Sequence, residues 1–362
     1  MNVDENFMCR ALTLARKGVG CTSPNPCVGA VVVKNGRVLG EGWHRSVGGP
    51  HAEIVALEEA GNAARSATLY ITLEPCCTWG RTPPCTDAIL LSGIRRVVVG
   101  ATDPNPRHHG RGFQRLQRGG LRVTRGVLER ECEDLNRAWN HWIVERTPWV
   151  IAKWAMSLDG KMATTTGESR WISSPQSRRR AHEFRSHADA VLVGIETLLS
   201  DDPALNVRLP GYAGRQPRRI VLDHWARTPL GSRVMRDKRA RPWIFVGPAA
   251  PHGAVRKLEA AGARIFRMPK AYDLDFVLKA LGREEITRLL VEGGGRILGS
   301  FFLQKRVHEA RVFMAPMVLG GAKARKAVAG AGVARWRDSV ALGHIDLQKV
   351  GCDLLATGRI QA

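Results

Sequence analysis

Long apolar runs are missing from this 362-residue sequence, and their absence limits what the chain can be. No segment approaches the roughly 20 apolar residues that a helix needs to cross a bilayer. The first residues, Met1 to Glu5, are acidic and lack the apolar core of a signal peptide. We therefore expect no membrane partner and no export, and a cytoplasmic chain whose eight cysteines stay reduced.

Aromatic residues are also scarce, at 6% of the chain, although the formal net charge is +22. Basic residues attract nucleic acids, but a single-stranded nucleic acid also needs aromatic side chains on which its bases stack. The arginines here are spread over both halves, and aromatic residues do not interleave with the basic runs. We therefore expect phosphorylated small molecules rather than nucleic acid, because arginine binds phosphate through bidentate hydrogen bonds.

The order of the predicted elements favours two α/β domains. Strands alternate with helices in both halves, which predicts sheets covered on both faces. Among the predicted helices are residues 129–145, 175–186 and 296–304. The turn Arg146-Thr147-Pro148 is the natural break, so we expect domains at residues 1–147 and 148–362.

Four residues of the first half have the chemistry of a zinc deaminase. His51-Ala52-Glu53 opens a predicted helix, Cys76 follows a predicted strand, and Cys85 opens another helix. One imidazole and two thiolates leave a tetrahedral zinc ion a fourth position for water. Glu53, two residues after the histidine, can take the proton of that water and pass it to a leaving nitrogen.

The spacing of the cysteines is unusual for this class of site. Deaminases generally carry Pro-Cys-x-x-Cys, whereas eight residues separate Cys76 from Cys85 here. Cys77 is a nearer alternative, but adjacent ligands would strain a tetrahedron. A lone His-x-Glu or a lone cysteine pair also occurs without metal, and the prediction depends on their combination in one domain.

Several longer segments carry a family resemblance that covers nearly the whole chain. They are Ser23-Pro24-Asn25-Pro26-Cys27-Val28-Gly29, His51-Ala52-Glu53, Thr72 to Cys85, Asp103-Pro104-Asn105-Pro106 and Gly110-Arg111-Gly112. The sequence closely resembles the bifunctional deaminase/reductases of riboflavin biosynthesis. For the first half this resemblance implies a cytidine-deaminase-like three-layer sandwich.

The same resemblance implies a substrate for the first half. It is 2,5-diamino-6-(5-phosphoribosylamino)pyrimidin-4(3H)-one, which loses its 2-amino group as ammonia. Asn25 and the loop around Arg81 are then expected to hold the pyrimidine and its phosphoribosyl group. From composition alone, the same residues also fit a turn and a solvated arginine. We interpret His108 and His109 as solvated loop residues.

In the second half, a glycine turn is the strongest local signal. A predicted strand ends on Gly293-Gly294-Gly295, and a predicted helix follows. Backbone N–H groups at such a helix start bind phosphate, but a plain tight turn has the same sequence. The full Gly-x-Gly-x-x-Gly pattern is missing, so the residues alone do not predict a Rossmann dinucleotide site.

The resemblance extends through Ser157-Leu158-Asp159-Gly160, Asp201-Asp202-Pro203-Ala204-Leu205 and Val291-Glu292-Gly293-Gly294. It implies a dihydrofolate-reductase-like domain in which NADPH reduces the ribosyl group to a ribityl chain. The residues implied to contact NADPH are Ala155, Trp171, Thr197, Asp201, Gly294, Gly295, Arg296, Ile297, Leu298, Gly299 and Ser300. Those implied to contact the phosphoribosyl substrate are Ser169, Arg185, Leu205, Arg208 and Glu292.

Some features of the second half stay open. Lys153 and Asp201 are candidates for proton transfer in the reduction. His224 follows Asp223 where the family usually has a small polar residue, which could alter the cofactor edge. We also expect a homo-oligomer, either a dimer or a tetramer.

Two other functions compete with this interpretation. A base deaminase acting on tRNA or single-stranded nucleic acid suits the charge but leaves the second half without use. A catalytically silent deaminase fold that serves as a binding module is the other alternative, and the intact ligand set argues against it.

Overall fold

The computed structural model describes residues 2–80, 83–237 and 240–361, and it divides the chain into two compact units. Unit 1 is Met1–Arg146 and unit 2 is Thr147–Ala362. In these described parts of the chain, every helix is too short or too polar to span a bilayer. Arg81, expected to help hold the substrate, lies outside the described residues.

Unit 1 contains a mixed five-stranded sheet in the order β2-β1-β3-β4-β5. In chain order its described elements are α1 (Val3–Arg16), β1 (Gly29–Lys34), β2 (Arg37–Trp43), α2 (Ala52–Ala60), a 3₁₀ turn (Gly61–Ala64), β3 (Thr68–Leu73), α3 (Cys85–Leu91), β4 (Arg96–Ala101), α4 (Arg111–Arg118), β5 (Arg122–Thr124) and α5 (Glu129–Glu145). Strands β3, β4 and β5 are parallel, and β1 is antiparallel to both of its neighbours.

Alternating side chains divide unit 1 into three layers. Val97 and Val99 of β4 pack with helices α2, α3 and α4, whereas Val98 packs on the opposite face with α1 and α5. Period-2 alternation sends successive strand residues to opposite faces, and both faces are apolar here. Buried Trp139 and Trp142 of α5 lie on its core-facing side, as the helical spacing predicts.

Unit 2 contains a nine-stranded sheet in the order β11-β10-β9-β8-β12-β6-β13-β16-β15. In chain order its described elements are β6 (Trp149–Ser157), β7 (Lys161–Ala163), α6 (Pro175–Ser186), β8 (Ala190–Gly194), α7 (Ile195–Asp201), β9 (Arg218–Leu222), α8 (Arg233–Arg236), β10 (Trp243–Val246), α9 (His252–Ala260), β11 (Arg264–Arg267), α10 (Leu274–Arg283), β12 (Arg288–Val291), α11 (Gly295–Leu303), β13 (Glu309–Ala315), β14 (Arg325–Lys326), a 3₁₀ turn (Trp336–Asp338), β15 (Leu342–Val350) and β16 (Asp353–Ile360).

The strands from β11 to β13 run parallel, and β16 and β15 extend the sheet as an antiparallel pair. Two apolar clusters cover the faces, with Leu192 of β8 in one and Val191 and Val193 in the other. Since parallel strands end at the same edge, the residues that follow β6, β12, β8, β9, β10 and β11 line one side of the sheet. That edge positions the second site.

Candidate active sites

Three predicted metal ligands of unit 1 come together from three element ends. His51 is the residue before α2, Cys76 follows β3, and Cys85 is the first residue of α3. Their ligand atoms all lie within 4.8 Å of one another, with 3.1 Å between His51 Nδ1 and Cys85 Sγ. His51 Nδ1 lies 3.7 Å from Cys76 Sγ. One nitrogen and two sulfurs in this arrangement fit a catalytic zinc ion that keeps one position for water.

The electrostatics of the two cysteines favour metal binding. The hydrogen bond from Cys85, helped by His51 and opposed by burial, lowers the pKa of Cys76 to about 4. The backbone N–H of Cys85 also donates to Cys76 Sγ at 3.3 Å. The neighbouring Cys76 thiolate and burial raise the pKa of Cys85. A divalent cation stabilises both thiolates at once, so the site is suited to zinc.

Glu53 lies in the first turn of α2, and its side chain is buried against Cys85. Burial raises the pKa of Glu53 to about 7, although His51 acts in the opposite direction. A carboxyl group that titrates near neutral pH can both accept and release a proton during turnover. The position and the chemistry therefore suit the predicted proton carrier.

Asn25 is held by hydrogen bonds through His44, whose ring contacts the metal ligand His51. The His44 ring donates from Nδ1 to the carbonyl of Pro50 at 3.1 Å, since a carbonyl can only accept. His44 Nε2 then accepts from Asn25 Nδ2 at 3.0 Å, which fixes the direction in which the Asn25 amide faces. The His44 ring also meets the His51 ring edge-on at 5.3 Å.

A buried amide from α5 fixes the same loop. Asn136 Oδ1 accepts the N–H of Cys27 at 2.7 Å, and Asn136 Nδ2 donates to the carbonyl of Cys27 at 2.8 Å. These two bonds imitate a strand pairing, and they join a helix to the segment that carries Asn25. Neither His44 nor Asn136 belongs to the short motifs that predict the zinc site, so sequence reasoning missed both residues.

Glu74 organises the backbone beside the metal ligands. Its carboxylate accepts hydrogen bonds from the N–H groups of Asp103, Gly110, Gly112 and Phe113 at 3.2, 3.0, 2.9 and 3.4 Å. Four donors to one buried carboxylate fix the loop before α4 against the end of β3. This contact was not predicted from the sequence.

Cys77 turns away from the ligand group. Its thiol lies 3.6 Å from His108 Nδ1, and its backbone N–H donates to the same nitrogen at 3.4 Å. The alternative in which Cys77 replaces Cys85 therefore has no support in the geometry. The interpretation of His108 as solvated is wrong, because its ring is half-buried against Cys77.

In unit 2, the carboxyl ends of the parallel strands line a long cavity of about 1050 Å³. Such a volume exceeds what one drug-sized ligand needs. The predicted NADPH contacts that line it are Ala155, Trp171, Thr197, Asp201, Gly294, Gly295, Arg296, Ile297 and Ser300. The predicted substrate contacts that line it are Ser169, Arg185, Leu205, Arg208 and Glu292.

The structure does not bring Leu298 and Gly299 to this cavity. Leu298 is fully buried in the core, on the side of α11 that faces the sheet. A Cβ on Gly299 would lie 1.5 Å from the carbonyl oxygen of Ala329, so this position accommodates close backbone contact. Gly299 lies one helical turn after Gly295, and the backbone of Ala329 covers it there.

The glycine turn has the features of a phosphate site. Gly294 precedes α11, and its N–H donates to Thr197 Oγ1 at 2.9 Å. The start of α11 lines the cavity, and helix starts favour anions. At the rim, the Arg178 guanidinium lies over the ring of Trp171 at 4.4 Å.

A buried charge cluster marks the other part of the cavity. Arg185 donates two hydrogen bonds of 2.7 Å to the Glu292 carboxylate. Burial alone would raise the pKa of Glu292, but Arg185 and Lys153 outweigh it and hold that pKa at about 2. Burial lowers the pKa of Lys153. Arg208 also lines the cavity, and its backbone N–H donates to His182 Nδ1 at 3.2 Å. The cationic side chains Lys153, Arg185 and Arg208 outnumber the anion Glu292, so the cluster is positive, which suits a phosphorylated substrate.

Comparison with known proteins matches each unit separately. Residues 1–101 match the cytidine and deoxycytidylate deaminase zinc-binding region, and residues 148–356 match the RibD C-terminal domain. Riboflavin biosynthesis protein RibD of Aquifex aeolicus is 46% identical over 318 residues, covering 88% of each chain. The Escherichia coli protein of the same name is 37% identical over 363 residues, covering 97% of this chain and 98% of its own.

Solved structures with whole-length similarity point the same way. RibD of Acinetobacter baumannii superposes with a TM-score of 0.91 at 32% identity, with 99% of both chains covered. A diaminohydroxyphosphoribosylaminopyrimidine deaminase/5-amino-6-(5-phosphoribosylamino)uracil reductase from Thermotoga maritima gives a TM-score of 0.84 at 34% identity, again covering 99% of both chains.

Proposed function

Because the chain belongs to the RibD family of riboflavin biosynthesis proteins, we propose that its two units catalyse consecutive steps on one phosphoribosylated pyrimidine. The chain is a bifunctional deaminase and reductase, with a cytidine-deaminase-like unit that uses zinc and a dihydrofolate-reductase-like unit that uses NADPH. The alternative of a nucleic-acid base deaminase is not favoured, since the RibD match gives the second unit a function.

The first step removes the 2-amino group of 2,5-diamino-6-(5-phosphoribosylamino)pyrimidin-4(3H)-one. His51, Cys76 and Cys85 hold the zinc ion, which when bound lowers the pKa of its water to about 7. Glu53 takes the proton from the attacking water and returns it to the leaving nitrogen. The water oxygen adds to ring carbon 2, the bond to the amino group breaks, and ammonia leaves. Asn25, oriented by His44, binds the pyrimidine.

The second step converts the ribosyl group, in its ring-opened imine form, to a ribityl chain. NADPH, when bound, supplies a hydride for carbon 1 of the sugar. Arg208 and Arg185 hold the phosphoribosyl group, with Glu292 fixing the Arg185 guanidinium. Lys153 lies beside Glu292 in the same cavity and donates the proton that the imine nitrogen requires. Asp201 also lines the cavity, and Asp201→Asn serves as the comparison variant for Lys153→Met.

The observation that carries this proposal is the convergence of His51, Cys76 and Cys85 with buried Glu53. A coupled assay on the diaminopyrimidine substrate tests it by following ammonia and NADPH together. One ammonia should appear for each NADPH oxidised, and reduction should wait for deamination. NADPH oxidation without ammonia release would contradict the order, and absence of both activities would contradict the function.

We place the boundary between the two catalytic domains at residues 147 and 148. The segment Arg146-Thr147-Pro148 separates the two compact units, which supports this position. Limited proteolysis followed by mass spectrometry should give first cuts near this segment. First cuts inside a sheet of either unit would contradict it.

We also place the protein in the cytoplasm as a homodimer formed through unit 2. Strand β15 is the edge of the nine-stranded sheet, and Ile345 and Leu347 are 58% and 59% exposed. An exposed apolar edge strand is a ready surface for pairing with a second copy. Light scattering should give twice the chain mass, and Ile345→Lys with Leu347→Lys should halve it. A monomeric wild type would contradict this proposal, and a tetramer would show that a second interface exists.

A further inference from the structure

Three aromatic residues of unit 2 form a cluster at the strand ends farthest from Glu292. His224 and Trp225 follow β9, and Tyr272 follows β11. Neighbouring strands lie about 4.8 Å apart, so β9 is about 10 Å and β11 about 19 Å from β12, which precedes Glu292. The aromatic cluster (His224, Trp225 and Tyr272) lines the same cavity as the glycine turn.

The aromatic cluster is held in a fixed shape. The His224 ring stacks on Tyr272 with 4.9 Å between centroids and 15° between planes. The Trp225 ring contacts the His224 ring edge-on, with 4.8 Å between centroids. The His224 imidazole also packs against the backbone at Gly247. A Cβ at Gly247 would lie 2.2 Å from atoms of this imidazole. A side chain at Gly247 would therefore displace His224, and glycine is needed there for the close approach.

The exposure of two of these side chains shows that the aromatic cluster is not part of the hydrophobic core. Tyr272 is 63% exposed and Trp225 is 49% exposed, although both are large aromatic side chains. His224 Nδ1 is buried, and within the described ranges no hydrogen-bond partner reaches it. Exposed aromatic groups on a cavity wall are typical of surfaces that stack on a planar ligand.

Cations lie near both the aromatic cluster and the glycine turn, since Arg227 is two residues after Trp225 and Arg296 is the second residue of α11. Arg227 pairs with Glu196 at 2.5 Å, and Arg296 and Arg325 also act on the Glu196 carboxylate. All three arginines line the cavity. A ligand that extends from the glycine turn to the aromatic cluster therefore passes a group of guanidinium donors, which suits phosphate.

We propose that the aromatic cluster binds the adenine ring of NADPH by stacking. The nicotinamide end then lies near Lys153 and Glu292, the diphosphate at the turn before α11, and the adenosine at the ends of β9 and β11. This inference rests on the proposed NADPH-dependent function and adds Trp225 and Tyr272, which the sequence did not assign.

The test is calorimetric titration of the full-length protein with adenosine 2′,5′-bisphosphate, which contains the adenine end and no nicotinamide. Tyr272→Ser and Trp225→Ala should each weaken its binding about tenfold, the usual effect of losing one stacking partner of a base. Tyr272→Phe keeps the ring and should bind like the wild type. Trp336→Ala removes another tryptophan of unit 2, one that is 92% exposed and outside the cavity, and should also change nothing.

The outcomes separate this inference from the function on which it rests. Equal affinity of the wild type, Tyr272→Ser and Trp225→Ala for the bisphosphate would overturn the role of the cluster while leaving the reductase intact. If the wild type binds neither the bisphosphate nor NADPH, the reductase function itself fails. Thermal unfolding of each variant checks the fold, which changes at such exposed side chains should leave unaffected.

Discussion

The two active sites of this chain balance their charges in different ways. In unit 1, two thiols lie close to a buried carboxyl group, that of Glu53. A divalent cation at this site would neutralise the negative charge of these groups when they are ionised. In unit 2, the negative charge of Glu292 is balanced within the protein by Arg185 and Lys153. A site completed by a metal needs only a few converging ligands, whereas a site completed by protein charges spreads over many strand ends.

The difference in charge balance predicts different sensitivities. At the metal site of unit 1, loss of the single residue Glu53 should stop the chemistry and leave the fold intact. Unit 2 should depend on pairs whose separation leaves a charge buried and costs stability. Four variants test this contrast, in order of decreasing expected effect.

Glu53→Gln should lower the deamination rate by roughly 10²- to 10⁴-fold, because the amide cannot carry the proton. Zinc content should stay at about one ion for each chain, since the three ligands are untouched. Ammonia release and metal analysis measure the two effects. NADPH oxidation with the deaminated substrate is the control and should keep its wild-type rate. Near-normal ammonia release would remove Glu53 from the mechanism.

Arg185→Leu should destabilise unit 2 by about 3–5 kcal/mol, because Glu292 would remain buried without its partner. Denaturant unfolding followed by circular dichroism measures the loss. The matched control is Arg264→Leu, whose partner Glu284 is partly exposed, and about 1 kcal/mol or less is expected there. A similar loss of unfolding free energy in both variants would show that burial does not make the Arg185–Glu292 pair more important than an exposed pair.

Asn136→Ala should destabilise unit 1 by about 2–4 kcal/mol, because the buried N–H and carbonyl of Cys27 lose their partners. It should also raise the KM of deamination, since the loop that carries Asn25 is released. Asn140→Ala, one turn further along α5, is the control, because its amide makes a long hydrogen bond of 3.3 Å. An unchanged KM with reduced stability would limit Asn136 to a structural role.

The free energy of unfolding of unit 2 should fall as the pH drops from about 6.5 to 4. Burial, with Arg185 and Arg208, lowers the pKa of His182 from its ordinary 6.5 to about 4. The unfolded chain therefore binds a proton in this window while the folded chain does not, and protonation favours unfolding. His182→Asn keeps an acceptor for Arg208 and should flatten this dependence by about 1–2 kcal/mol. An identical pH slope in the variant would exclude His182 as the titrating group.

The sequence predicts those parts of the molecule whose signals are local. Helix α6 begins where Ser174 caps it and Pro175 occupies its first turn, so residues 175–186 were predicted correctly. The zinc ligands lie at element ends that turn residues mark. The confirmed fold class follows from alternating elements and from the resemblance.

Other parts depend on contacts between distant segments. Strand β15 is exposed along almost its whole length, so no alternating pattern marks it, and its pairing with β16 makes it a strand. Strand β13 was also missed. The aromatic cluster joins two strand ends about 50 residues apart, and only the sheet order brings them together.

The carboxylate of Glu74 gives the deaminase unit a property that concerns metal supply. Four backbone N–H groups of the loop before α4 donate hydrogen bonds to this side chain, so the loop is held by contacts that do not involve the metal. A chain stripped by a chelator should therefore keep the loop in place and recover full deamination when zinc returns, without refolding. Shortage of the metal would then pause the first step reversibly, while unit 2 continues to reduce any deaminated substrate that it receives.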